Sequence, residues 1–142
     1  MFDTSHLHPM LVHFPIALVI FGFLAELASL FVKKEAWLSR AGFFLLVFGT
    51  LSALTAWLTG IFFTSPMSDS AGEIKATHAL FAWLTLGTLI AASVFRILLQ
   101  FRNGENTNLK WVAFALYALA AVFVSITGFF GGTLVYNYMM PL

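Results

Sequence analysis

The sequence predicts an all-α integral membrane protein, a four-helix up-and-down bundle with both termini on the periplasmic side. Of its 142 residues 61% are apolar and only 9% are charged, whereas an ordinary soluble domain is roughly 25% charged. Four stretches carry almost no charge, and each exceeds the about 20 residues that a helix needs to cross the hydrocarbon layer. We expect one transmembrane domain over residues 1–142, with helices at about 9–32, 41–64, 76–100 and 110–136.

Each predicted helix ends where charged or polar residues return. The first contains one charged residue, Glu26, and ends before Lys33. The second is followed by the polar loop "SPMSDSAGE" at 65–73, the third ends before Arg102, and the fourth begins at Lys110. Connections this short favour neighbouring helices that run in alternating directions.

The basic residues predict the orientation in a bacterial inner membrane. Six of the seven flank the first and third connections: Lys33, Lys34, Arg40, Arg96, Arg102 and Lys110. Because cytoplasmic loops carry the excess of Lys and Arg, we expect both termini to face outwards, into the periplasm. The chain has no cysteine, which excludes disulfides and thiolate ligands.

All four histidines fall at the predicted outer face. His6, His8 and His13 lie at the outer end of the first helix, and His78 lies just inside the outer end of the third. This clustering predicts a shared site, although polar residues that hydrogen-bond to loop backbone at the interface are the alternative.

The prolines of "HLHPMLVHFP" bear on the shape of this site. In a continuous helix, His8 and His13 point about 140° apart, too far round to reach one small ion. Proline is tolerated in a first helical turn but interrupts the helix further in. Either the helix begins at Pro9 and bends near Pro15, or residues 8–13 lie along the interface.

Four sequence elements resemble one known family. They are "LHPMLVHFPIAL" at the start, "TG" at 59–60, a histidine opening the third helix, and "GGTLVY" at 131–136. Together they are similar to DUF2231, a four-helix bacterial membrane domain of unknown function. Relatives beside c-type cytochrome and Rieske-like modules imply membrane redox work, and the family histidines correspond to His8, His13 and His78. Many relatives have an acid shortly after the TG, where this chain reads Gly60, Ile61, Phe62, Phe63.

The leading hypothesis is an electron carrier, rather than an enzyme, that holds a b-type haem near the periplasmic face. Haem accepts two axial imidazoles, and His13 and His78 begin diagonal helices of the predicted bundle. Aromatic and small residues are suited to wall the ring: Phe14, Phe81, Phe129, Phe130, Gly128, Gly131 and Gly132. Gly128 and Gly132 also form a GxxxG pattern, which commonly indicates close helix packing.

Two alternatives remain open at this point. His8, His13 and His78 together form a set of three imidazoles suited to a zinc or copper ion. The second alternative is a structural partner subunit without a cofactor. The lipid bilayer is one expected partner, and a periplasmic cytochrome or a quinone is another. A homodimer is a further expectation. No basic patch indicates nucleic acid.

A buried charge is expected near the inner end of the bundle. Glu26 and Arg96 reach similar depths on the first and third predicted helices, and an intramembrane carboxylate needs a partner or a function. An ion pair between them is one interpretation. The other is a contact for a proton or a quinone head group.

Overall fold

A computed structural model describes residues 7–102 and 107–138, and these are entirely helical apart from short connections. The five helices are α1 (Leu7–Leu11), α2 (His13–Phe31), α3 (Ala36–Phe63), α4 (Asp69–Phe101) and α5 (Thr107–Tyr138). Four helical segments are long and apolar enough to cross a membrane: Leu7–Phe31, Ala36–Phe63, Asp69–Phe101 and Asn108–Tyr138. The chain is therefore a membrane protein with four candidate spans.

The first span consists of α1 and α2, which are separated at Val12. Pro15 has no N–H, so the carbonyl of Leu11 lacks its usual helical donor. The next bond, from Ile16 N to the Val12 carbonyl, is stretched to 3.5 Å, while Val12 N still bonds to His8 O at 3.1 Å. Helix formation thus begins before Pro9, and the interruption lies between His8 and His13.

The fourth element of the chain, α4, begins at Asp69, earlier than the expected start at 76. Its first turns contain polar residues that are exposed or half-buried. Hydropathy does not predict these polar turns as part of the helix. A helix makes its backbone hydrogen bonds internally, so it can continue beyond the apolar layer of the membrane.

The core contains small and branched side chains from α2, α3, α4 and α5. Val19, Leu46 and Leu89 are completely buried at its centre, with Tyr117 and Ala120 of α5 beside them. Large apolar side chains cover the outside, including Phe21, Phe31 and Phe62. Apolar residues on the exterior suit a surface that faces lipid.

Candidate functional site

Two histidines from different spans meet at one end of the bundle. The ring centres of His8, on α1, and His78, on α4, lie 6.1 Å apart with the ring planes at 83°. Both side chains are partly buried. At the other end of the bundle, Glu26 of α2 and Arg96 of α4 lie together. We call the end of the bundle that holds His8 and His78 the histidine end.

The His8 ring is fixed to α3 by its Nδ1 atom. This nitrogen lies 2.9 Å from the carbonyl oxygen of Ala56 and 3.2 Å from the hydroxyl oxygen of Thr59. The Thr59 hydroxyl itself donates to the same Ala56 carbonyl at 2.8 Å. Because a carbonyl can only accept, Nδ1 of His8 carries the proton. In the neutral ring, the lone pair is then on Nε2.

The His78 ring is fixed in the same way to α5. Its Nδ1 atom lies 3.0 Å from the carbonyl oxygen of Thr127, so it too is the donor. The hydroxyl oxygen of Thr127 lies 3.2 Å from that of Thr85, so Thr127 of α5 is also hydrogen-bonded to α4. Both imidazoles of the pair therefore leave an unprotonated Nε2 for a ligand.

Glycines let both rings lie close to a helix backbone. A Cβ atom at Gly60 would lie 3.0 Å from Cε1 of His8, and one at Gly131 would lie 3.2 Å from Cε1 of His78. Both distances are shorter than ordinary van der Waals contact. The "TG" and "GG" elements of the sequence thus each provide space for one histidine of the pair.

A cavity of about 570 Å³ opens beside the pair, within the about 300–1,000 Å³ typical of small-molecule and cofactor sites. Its wall is mostly apolar and includes Trp57, Trp83 and Tyr136. The cavity is bordered by residues of all five helices, and His8 and His78 both line it.

The predicted wall residues are divided between the cavity and other surfaces. Gly128, Gly131 and Gly132 all line the cavity. A Cβ at Gly128 would approach Ile16 Cδ1 at 3.1 Å, whereas one at Gly132 would meet nothing within 4 Å. The four predicted phenylalanines are not part of this wall, which holds tryptophan and tyrosine instead. Two of them are exposed and two stack on each other: Phe14, Phe129, Phe81 and Phe130.

The sequence predicts His13 opposite His78, but in the structure His8 occupies that position. The His13 side chain is exposed at the edge of the cavity and hydrogen-bonds to none of the described residues. His6 lies outside the described residues.

The three-histidine set is therefore not assembled. Within residues 7–102 and 107–138, no three His, Cys, Asp or Glu side chains lie close enough to share a metal ion. The sequence did contain one signal for His8, because the polar Thr59 precedes Gly60 in an otherwise apolar helix end. Only the packing of α1 on α3 shows that this polar group meets His8.

At the opposite end, Glu26 and Arg96 form a hydrogen-bonded ion pair. An Arg96 Nη2 atom lies 3.0 Å from Oε2 of Glu26, and the two residues are only 8% and 3% exposed. Arg96 also donates to the carbonyl and hydroxyl oxygens of Ser39 at 3.2 and 3.1 Å. Each charge thus has a partner in the low-dielectric interior, as buried charges require.

Comparison with known proteins places the chain in a family without assigning an activity. No curated protein and no solved structure matches it. The match to the family DUF2231, described as a predicted membrane protein, covers residues 4–141. Since this match spans nearly the whole chain, the protein belongs to the DUF2231 family of membrane proteins.

Proposed function

We propose that this protein is a membrane electron carrier that holds a b-type haem between His8 and His78. The observation that carries the proposal is the matched pair of imidazoles, each with Nδ1 bonded to a backbone carbonyl and Nε2 left free beside one cavity. Histidine ligands commonly donate their other ring N–H in this way, which fixes the tautomer and the ring orientation.

The separation of the two rings suits ligation of one iron. Two metal–nitrogen bonds of roughly 2 Å place the two ligating nitrogens about 4 Å apart and the ring centres about 6 Å apart. The centres of His8 and His78 lie at 6.1 Å. Two imidazoles complete the axial positions of a haem, which supplies one-electron transfer when bound.

The cavity wall supports an apolar, flat ligand. Trp57 and Trp83 are in contact, with ring centres 4.5 Å apart, and both line the cavity. Gly132 leaves the α5 backbone accessible from the same space, because a Cβ atom there would meet nothing within 4 Å. A structural zinc or copper ion is less suited, because such ions take three or four protein ligands, and within residues 7–102 and 107–138 no third His, Cys, Asp or Glu side chain joins His8 and His78.

We also propose where the protein lies and which partners exchange electrons with it. With the first and third connections holding most basic residues, the histidine end faces the periplasm of a bacterial inner membrane. A periplasmic cytochrome or a membrane quinone is then the exchange partner, and two copies of the chain are able to associate. The protein moves electrons without a catalytic residue of its own.

The test is the absorption spectrum of the purified full chain made with ample haem supply. We expect a low-spin spectrum with Soret and α bands, and iron by elemental analysis. His8→Ala and His78→Ala should each lose these bands or convert them to a high-spin form. His13→Ala is the matched control, because the exposed ring of His13 has no part in the pair, and its spectrum should equal that of the wild type.

Three results would contradict the proposal. They are wild-type protein without haem, low-spin bands retained in both pair variants, and stoichiometric zinc or copper in place of iron. Equal loss in the His8, His13 and His78 variants would point to the three-imidazole site instead.

A further inference from the structure

The cavity beside the histidine pair also contains one cation. Lys75 lies on α4, three residues before His78, and therefore on the same face of that helix. Its side chain is partly buried and lines the cavity together with His8 and His78. No part of the proposed ligation by the two imidazoles uses this ammonium group.

The Lys75 charge has no acidic partner among the described residues. The ion pair found in residues 7–102 and 107–138 is Glu26–Arg96, at the other end of the bundle. The Lys75 ammonium donates one hydrogen bond, to the backbone carbonyl of Ser65 at 2.5 Å. An ammonium has three donors, so two remain for another acceptor.

The position of the Ser65 carbonyl explains why Lys75 stays at the cavity. Ser65 follows the end of α3, and the bond to its carbonyl spans the connection between α3 and α4. A lysine at a membrane interface commonly extends its side chain towards water. Here the bond holds the ammonium near the histidine end, at the border of a mostly apolar wall.

We infer that Lys75 is an anion-binding residue of this cavity, and that it binds a carboxylate carried by an otherwise apolar ligand. The inference rests on the proposed function and extends it, because a b-type haem has an apolar ring with two carboxylate side chains. An apolar wall, two nitrogen ligands and one ammonium without an acidic partner among the described residues together match that distribution of chemistry. A hydrogen bond to a charged group contributes more than a neutral one.

The test uses metal-free protoporphyrin IX and its dimethyl ester, so that no iron–histidine bond takes part. The full chain in a neutral detergent is titrated with each porphyrin, and binding is followed by porphyrin fluorescence. We expect the free acid to bind about tenfold more tightly than the ester, as one charged hydrogen bond implies. Lys75→Met should remove this preference and leave ester binding unchanged.

Two further variants serve as controls. Lys75→Arg keeps the positive charge and should keep most of the preference for the acid. Lys33→Met removes an exposed lysine that does not line the cavity, and it should bind both porphyrins as the wild type does.

Equal affinity for acid and ester in the wild type, a preference that survives Lys75→Met, or no porphyrin binding would each overturn the inference. An anionic lipid headgroup is the other source of such a charge. Displacement of the acid by equimolar phosphatidylglycerol, but not by phosphatidylcholine, would assign Lys75 to lipid and overturn it as well. Absence of low-spin haem bands from the wild-type protein, or their retention in both His8→Ala and His78→Ala, would contradict the proposed function and is a separate result, because these titrations contain no metal.

Discussion

Gly60 lies directly against the His8 ring, so that a Cβ atom at this position would come within 3.0 Å of Cε1. The ring cannot retreat freely, because its Nδ1 atom is bonded to the carbonyl of Ala56 on the same helix. Gly131 has the same relationship to His78, whose Nδ1 is bonded to Thr127. The pair is thus held from two sides by two helices, each through one glycine and one carbonyl.

The first prediction concerns these two glycines. Gly60→Ala and Gly131→Ala should each displace one imidazole by a few tenths of an ångström and weaken cofactor retention by about tenfold, as loss of ligand orientation typically does. The measurement is haem content and the low-spin fraction of each purified variant.

Gly87→Ala is the matched control for both changes. A Cβ atom at Gly87 would meet nothing within 4 Å, and the residue lies in the interior of α4. This variant should keep its haem and gain about 0.5–1 kcal/mol of stability, because alanine loses less backbone freedom in a helix than glycine. Equal haem loss in all three variants would show that the close contacts are not the cause.

The second prediction concerns Thr59, whose hydroxyl lies 3.2 Å from Nδ1 of His8. Thr59→Val removes this hydroxyl at nearly constant volume, while the bond from His8 to the Ala56 carbonyl remains. We expect cofactor affinity to fall by about tenfold, the lower end for residues that orient a ligand. Thr59→Ser keeps the hydroxyl and should bind like the wild type; an equal loss in Val and Ser variants would exclude the hydrogen bond as the reason.

The sequence predicts the membrane-spanning helices well, because burial in lipid imposes composition directly. A span needs about 20 apolar residues whatever its neighbours are, and each of the four predicted stretches overlaps a helical segment, although the first is interrupted at Val12 and the third begins earlier than expected. The interruption of the first span is also visible in the sequence, since Pro15 must leave the Leu11 carbonyl without its helical donor.

The histidine pair could be predicted only in part. His78 and the region of His8 and His13 are evident from residue type and depth. The choice between His8 and His13 depends on which one meets the Ala56 carbonyl of α3, and that contact joins residues 48 positions apart. Helix periodicity predicts that the His8 and His13 rings point in different directions, but it does not predict which of the two rings faces the bundle interior.

The third prediction concerns orientation and uses the absence of cysteine, which gives an unreactive background. Glu35→Cys places one thiol in the connection between α2 and α3, and Ser70→Cys places one in the first turn of α4. Both positions are exposed. In whole cells with a permeable outer membrane, a membrane-impermeant thiol reagent should label position 70 and leave position 35 unlabelled until lysis. The reverse pattern would place the histidine end in the cytoplasm.

The last prediction concerns the buried ion pair of Glu26 and Arg96. Glu26→Gln leaves the Arg96 charge without its counter-ion, and Arg96→Gln leaves the Glu26 carboxylate alone, so each should lower the free energy of unfolding by about 3–5 kcal/mol. The double variant removes both charges and should lose less than the sum of the single losses, by a coupling energy of about 1–3 kcal/mol. Unfolding in mixed micelles, followed by circular dichroism, measures the two single variants and the double variant. Glu73 is exposed, so Glu73→Gln is a control that should stay within about 0.5 kcal/mol of the wild type. Because Glu26 lies 13 residues beyond His13 along α2, about 20 Å at 1.5 Å per residue, the double variant should keep the wild-type haem spectrum. Additive losses would mean that the two side chains stabilise the bundle independently, and loss of haem from a folded double variant would show that the two ends of the bundle are coupled.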